Sequence, residues 1–134
     1  TKVAPELSNE AHYYRAKAYL DAGKVEGAMD DLKILAKDTR NIYGAEAKYK
    51  VAQIYFDAGQ TEQAEKEVLD YIEVSTPHTY WLARSFVLLS DVYMKLGRNL
   101  DAKQYLLSLK QNYQADDDIA GMIESRLNKL NAEN

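Results

Sequence analysis

Val51-Ala52-Gln53-Ile54-Tyr55-Phe56-Asp57-Ala58-Gly59-Gln60-Thr61-Glu62-Gln63-Ala64 decides how this chain folds, because the same skeleton stands before it and after it. Upstream it reads Arg15-Ala16-Lys17-Ala18-Tyr19-Leu20-Asp21-Ala22-Gly23-Lys24-Val25-Glu26-Gly27-Ala28, and downstream Leu89-Ser90-Asp91-Val92-Tyr93-Met94-Lys95-Leu96-Gly97-Arg98-Asn99-Leu100-Asp101-Ala102. The shared frame is small-x-x-Tyr-x-x-x-Gly-x-x-x-x-Ala. From Gly23 to Gly59 is 36 residues and from Gly59 to Gly97 is 38, and the tyrosines (19, 55, 93) and alanines (28, 64, 102) keep the same steps. Three marker sets in one register define an internal repeat with the period of a stacked helix-turn-helix array.

Each marker has a mechanical reason. The small residue at 16, 52 and 90 and the Ala at 28, 64 and 102 fit places where two helices cross too closely for a larger side chain. Gly23, Gly59 and Gly97 supply the positive φ that ends the first helix of each unit in a left-handed cap. A short polar turn starts the second helix, with Thr61 and Asn99 as candidate N-caps. Each Tyr reads as a packing residue whose hydroxyl reaches a polar partner, since it buries a large ring with one wet end.

Gly at the turn, a small residue seven positions before it, Tyr four before it and Ala five after it resemble the tetratricopeptide repeat family in all three copies. The copies depart from it at the early Trp-like position, which is His12, Lys48 and Phe86, and at Arg15, which replaces an expected apolar residue. A closing Pro follows only the second copy, as Pro77. The resemblance implies an all-α fold, a right-handed α-α superhelix of three helix pairs with a C-terminal capping helix. The repeats fall at about 8–41, 42–77 and 78–114, and the capping helix at about 117–132, in one domain over 1–134.

Along the chain, 1–7 is expected to be weakly ordered, with Pro5 tolerated in a first turn and Ser8 a candidate N-cap of a helix reaching Ala22. Further helices are expected over 26–38, 42–58, 61–74, 77–96 and 100–113. Ala28, Met29, Leu32, Leu35 and Ala36 form the buried stripe of the second, and Ala64, Val68, Leu69, Tyr71 and Ile72 that of the fourth. Asn41 is placed to cap the third helix, and Thr76 the fifth with Pro77 at its first position. An extra turn bearing Tyr80, Trp81 and Leu82 accounts for the 38-residue step. Ile119, Met122, Ile123, Leu127 and Leu130 share one face of the seventh helix. Asp116-Asp117-Asp118 then sits at a helix N-terminus, where negative charge is favoured; adjacent side chains diverge too far to form a metal site. No comparable cap closes the N-terminal end, so the chain is expected to be the C-terminal part of a longer array with further repeats before it.

Composition narrows the function. A chain 46% hydrophobic and 28% charged folds rather than staying disordered. Its 17 basic and 21 acidic residues are interspersed, net −4, without the basic stripe that nucleic acid demands. No apolar run reaches membrane-span length, so no direct insertion is expected. Cysteine is absent, which removes disulfides and thiol chemistry but fits reducing and oxidising compartments alike. His12 and His78 lie in different repeats and read as helix-start or interface residues; no phosphate loop, metal or nucleophile motif accompanies them. No catalytic residue, cofactor or metal is assigned, and the chain reads as non-enzymatic.

What the resemblance adds is a concave groove lined by the first helix of each pair, where a protein or peptide partner binds. Carried over, the groove positions are Glu10, Tyr13, Tyr14, Lys17, Leu20 and Asp21 in the first copy. The second gives Glu46, Tyr49, Lys50, Gln53, Phe56 and Asp57, and the third Arg84, Val87, Leu88, Asp91, Met94 and Lys95. Where one subclass clamps chaperone tails with Lys, Asn and Arg, this chain has Tyr13, Lys17, Lys50, Arg84 and Leu88, and only Arg84 suits, so that partner is not expected. The chief candidates are Tyr13, Tyr14, Lys17, Tyr49, Lys50, Gln53, Phe56, Arg84, Asp91 and Lys95. Their aromatics would supply contact area and Lys17, Lys50 and Arg84 would favour an acidic or C-terminal partner segment. The stretch Glu46-Ala47-Lys48-Tyr49-Lys50-Val51-Ala52 is loosely similar to bacterial cell-envelope members of the family, including the Tol-Pal coordinator and outer-membrane assembly lipoproteins. That likeness favours a periplasmic or envelope location over the cytoplasm. The alternative to a binding module is a structural spacer or self-association element within a larger repeat protein.

Overall fold

The computed structural model describes residues 5–74 and 76–132. Among these residues seven helices follow one another: α1 (Pro5–Asp21), α2 (Val25–Leu35), α3 (Ile42–Asp57), α4 (Thr61–Glu73), α5 (Thr79–Lys95), α6 (Asn99–Asn112) and α7 (Ile119–Ala132). Among the described residues there is no strand. Helices pair in chain order, α1 with α2, α3 with α4 and α5 with α6; α2 also packs on α3, and α4 on α5. The first helices of the pairs stand side by side, α1 against α3 against α5, and α7 continues the row by packing on α5 and α6. This is the all-α helical repeat fold that the sequence implies.

The glycine turns show why the three marker residues travel together. Gly23, Gly59 and Gly97 have φ of 76°, 79° and 77°. The amide after each glycine donates back across the turn to the carbonyl of the repeat's tyrosine: Lys24 N to Tyr19 O at 2.7 Å, Gln60 N to Tyr55 O at 2.9 Å and Arg98 N to Tyr93 O at 2.7 Å. That is the six-to-one bond of a Schellman motif. The carbonyls of Lys24, Gln60 and Arg98 then accept from Ala28, Ala64 and Ala102, opening the next helix at once. Lys24, Gln60 and Arg98 therefore hold the N-cap positions without a side-chain bond. Thr61 and Asn99, expected as caps, are instead the first residues of α4 and α6.

Other boundaries differ for local reasons. Pro5 opens α1, since a first-turn proline loses no helical hydrogen bond; Pro5–Leu7 are thus helical and Ser8 lies inside the helix, while 1–4 fall outside the described residues. The second helix stops at Leu35, not at Asp38, because α3 crosses there. A Cβ on Gly44 would lie 1.8 Å from Asp38 O and 2.6 Å from Leu35 O. Asn41 caps α3 as expected, accepting from Gly44 N at 2.8 Å, and its amide also donates to Asp38 O at 3.0 Å. Thr76 does not cap α5. Its hydroxyl donates to Thr39 O at 2.7 Å and accepts from His78 N at 3.1 Å, leaving Pro77 in the connection before Thr79.

Packing follows the small residues. Ala28, Ala64 and Ala102 are fully buried, and Ala16, Ala52 and Ser90 nearly so, with Ser90 Oγ donating to Val87 O at 2.6 Å. Tyr71 is buried and donates to Ala45 O at 3.2 Å, whereas Leu69, expected in the same stripe, is exposed. Within each pair one contact joins residues 19 apart, and its chemistry changes while its place does not. It is His12 with Asp31 in the first, Lys48 with Glu67 in the second, and Phe86 with Tyr105, ring centroids 6.2 Å apart, in the third.

Asp31 is buried and accepts from Arg15 Nε at 2.8 Å and Arg15 Nη2 at 2.6 Å, with His12 Nδ1 at 2.8 Å. The Arg15 hydrogen bonds hold its carboxyl below the usual carboxylate range, against burial, which pushes it up. A depressed folded pKa contributes stability above the unfolded value of about 3.9, lost as pH falls through the folded value. Acidification below about pH 4 should therefore lower the urea midpoint more steeply in the wild type than in Asp31→Asn; parallel pH profiles would show that Asp31 does not titrate this way.

Two glycine replacements should act with opposite signs. Gly59 has open space where a Cβ would sit, so Gly59→Ala carries only the left-handed strain of an L residue, about 1–2 kcal/mol, and should lower the melting temperature by several degrees. Gly121, exposed within α7 and equally uncrowded, should raise stability by about 0.5–1 kcal/mol on Gly121→Ala. Thermal melts of the two variants check both signs.

Candidate partner-binding face

Because α1, α3, α5 and α7 stand in a row, their side chains form one continuous face, and the sequence-derived groove residues lie along it. At the α1 end Tyr14 is 59% exposed and Lys17 is exposed. Tyr13 is partly buried beside Tyr14 in an edge-on contact, centroids 5.2 Å apart, and its hydroxyl donates to both Glu46 oxygens at 3.1 and 3.2 Å. Lys50 Nζ closes on Glu46 at 2.6 Å, and both Lys17 and Lys50 place their ammonium groups 5.9 Å from the Tyr13 ring centre. Burial first, then the Glu46 carboxylate, pushes the Tyr13 phenol up to about 12, so it stays a neutral donor throughout the physiological range.

The middle of the face is organised by Arg84. Its guanidinium lies 4.9 Å from the centre of the Tyr49 ring and 5.8 Å from that of Trp81, and donates to the hydroxyls of Tyr49 and Tyr80, each at 3.0 Å. Tyr49 donates onward to Gln53 at 2.8 Å, and Gln53 to Asp57 at 2.8 Å. Tyr80 donates to Asp118 at 2.9 Å. Tyr49 is buried, so its ring packs between repeats rather than facing the groove; Val87 and Leu88 are buried as well. At the far end Asp91 is held by Arg126 of α7 at 2.7 and 2.9 Å. Beyond it Phe56, Met94, Asp91, Lys95, Asn99 and Lys129 line an open recess of about 500 Å³.

The face thus divides into two sets. Tyr13, Lys50, Tyr49, Gln53, Arg84 and Asp91 are tied to neighbours, Tyr13, Tyr49, Arg84 and Asp91 to an adjacent helix of the row and Lys50 and Gln53 within α3. Tyr14, Lys17, Phe56 and Lys95 are not engaged in ion pairs or hydrogen bonds among the described residues. Sequence reasoning missed Tyr80, Asp118 and Arg126 as members of this network. Their signal was the period itself, since Tyr49 to Arg84 and Asp91 to Arg126 both span 35 residues. The Asp run ties α7 to its surroundings. Asp117 accepts from Ile119 N at 2.9 Å and from Tyr113 at 2.6 Å, and Asp118 anchors Tyr80.

Both histidines are engaged in the framework, His12 with Asp31 and His78 Nε2 with Arg40 O at 3.1 Å. Among the described residues no group of three acidic or histidine side chains is placed to hold a metal ion. Among the described residues no helix is long and apolar enough to cross a membrane.

Paired helices, glycine turns and a shared face define the chain as a helical repeat protein. A family model for the tetratricopeptide repeat matches residues 10–38, from the second turn of α1 through α2 and just beyond it. Residues 10–38 are thus similar to a tetratricopeptide repeat, and such repeats generally mediate protein–protein interaction. The match identifies the repeat and carries no compartment. No curated protein matches the chain.

Arg84 ties α5 to α3 through the hydroxyl and ring of Tyr49 while also holding Tyr80 and Trp81 of its own helix, a planar fork that a lysine cannot reproduce. Arg84→Lys should destabilise the protein by about 1–2 kcal/mol, while Lys95→Ala at an exposed site should change stability by less than about 0.5 kcal/mol. Denaturant titration of the two variants separates a structural arginine from a surface cation.

Proposed function

We propose that the chain is a protein-interaction module that holds an acidic extended or helical segment of another protein along the face of α1, α3 and α5. The observation that carries this reading is the division of the cations on that face. Lys50 is paired with Glu46 and Arg84 is held by two tyrosine hydroxyls and three rings, whereas Lys17 and Lys95 have no carboxylate partner among the described residues and stand exposed beside Tyr13, Tyr14, Phe56 and Met94. Uncompensated cations next to accessible aromatic and thioether surface attract a segment combining carboxylates with apolar side chains. Similarity to a repeat that generally binds proteins supports the same reading.

A structural spacer is the second reading, and the lateral network favours it. Tyr13–Glu46, Tyr49–Arg84 and Asp91–Arg126 each bind adjacent helices of the row together, which supports a face that is stiffened instead of presented.

Peptide display against the intact chain distinguishes the two. A binding module should enrich sequences rich in Asp and Glu, and Tyr14→Ala combined with Lys17→Glu, or Lys95→Glu alone, should weaken a selected peptide more than tenfold, about 1.4 kcal/mol. Glu62→Lys, exposed on α4, should leave binding nearly unchanged. No enrichment, or equal loss from Glu62→Lys, would leave the spacer as the better account.

A further inference from the structure

Away from the row of first helices, α4 and α6 make no close backbone approach. An open groove of about 1020 Å³ lies along α4, reaching Phe86 of α5 and Tyr105 of α6. Leu69 and Ile72 of α4 join those two rings in it; Leu69 is 39% exposed and the other three are half-buried. One step earlier in the array, the recess between α2 and α4 is about 300 Å³ and is lined by Lys33, Lys37 and Lys48 as well as by Glu67 and Asp70. The contact joining each pair contributes to the difference: an ammonium group at Lys48, aromatic rings at Phe86 and Tyr105. Apolar surface is therefore open to solvent beside α4 on its α6 side.

The charge around this surface is one-sided. Glu65, Glu67, Asp70 and Glu73 line the groove against the single ammonium of Lys66. The cations behind them are each shared by two carboxylates, Lys48 by Glu67 and Asp70, and Arg98 by Asp101 at 2.8 Å and Glu65 at 3.9 Å. Glu73 is exposed and has no ion-pair or hydrogen-bond partner among the described residues. We infer that the groove is a docking surface, separate from the face of α1, α3 and α5, for a partner-protein segment that carries Lys or Arg beside apolar side chains. Carboxylates in excess of cations around accessible apolar surface select such a segment and disfavour an acidic one. The 13 residues of α4 span about 20 Å, so a helix of about three to four turns lies alongside it.

The probe is a fluorescein-labelled synthetic peptide of about 14 residues, leucine and lysine at helical spacing, titrated with the intact chain and followed by fluorescence anisotropy. Its binding should be saturable, and Leu69→Ser combined with Glu73→Lys, both at exposed positions, should weaken it about tenfold or more. Lys66→Glu removes the one opposing charge in the groove and should tighten it about threefold, a gain that misfolding does not produce. Asp30→Lys, exposed on α2 outside the groove, makes the same charge change as Glu73→Lys and should leave the affinity within about twofold. Circular dichroism checks the folding of each variant. Absence of saturable binding, an unchanged affinity in Lys66→Glu, or equal loss from Asp30→Lys would overturn the inference. So would a dimer in sedimentation that Leu69→Ser with Glu73→Lys dissociates, since that makes a second copy the occupant.

Discussion

One backbone hydrogen bond recurs three times and sets the geometry of everything else: the amide after each glycine donating to the carbonyl of the repeat tyrosine. It reverses the chain within three residues and delivers it directly into the next helix, whose first bond is made by the buried alanine. The distance from turn to crossing point is therefore fixed, and with it the depth at which Ala28, Ala64 and Ala102 meet the first helix. A bulkier residue at the alanine or a shifted glycine would disturb the same unit. Tyrosine, glycine and alanine keep one register because they are parts of one bonded structure.

Between these turns the chemistry is free to vary as long as the volume is filled. The 19-residue contact within each pair is an imidazole–carboxylate pair, an ammonium between two carboxylates, or two aromatic rings. Each solves the same local problem, joining the two helices near their crossing without leaving a buried polar atom unpaired. No buried side-chain nitrogen or oxygen among the described residues lacks a partner. Burial opposes the charge on Lys48, yet Asp70 and Glu67 raise its pKa above the ordinary lysine value, so the ion stays charged in a largely enclosed place. The family's early Trp-like position can for this reason become His12, Lys48 or Phe86 without changing the fold.

The pattern of turns, crossings and apolar stripes was legible because each depends on residues close in sequence. Gly23, Gly59 and Gly97 announce positive φ, Asn41 announces a cap, and Ile119, Ile123, Leu127 and Leu130 announce one face of a helix. The misplaced boundaries have tertiary causes. Gly44 reads as an ordinary helix residue until Leu35 and Asp38 are seen crowding it, and Thr76 looks like a cap until its hydroxyl is found bonded to Thr39 across the connection. The candidate face was only half legible. Family positions located Tyr49 and Asp91 on it, but whether each faces solvent or its neighbour depends on Arg84 and Arg126, one repeat further on.

The contacts between helices are unevenly distributed across the stack. Adjacent first helices touch along the face, α1 with α3, α3 with α5 and α5 with α7, whereas α2, α4 and α6 make no close backbone approach to one another among the described residues. Bonds such as Tyr13–Glu46, Tyr49–Arg84 and Asp91–Arg126 lie on the closed side. Mechanically the row of first helices is bonded along one side, while each inner second helix is wedged between two first helices, α2 between α1 and α3 and α4 between α3 and α5. The spacing of the face is thus set by discrete side-chain bonds, and a change in the curvature of the array has to pass through the packing of α2 on α3 and of α4 on α5.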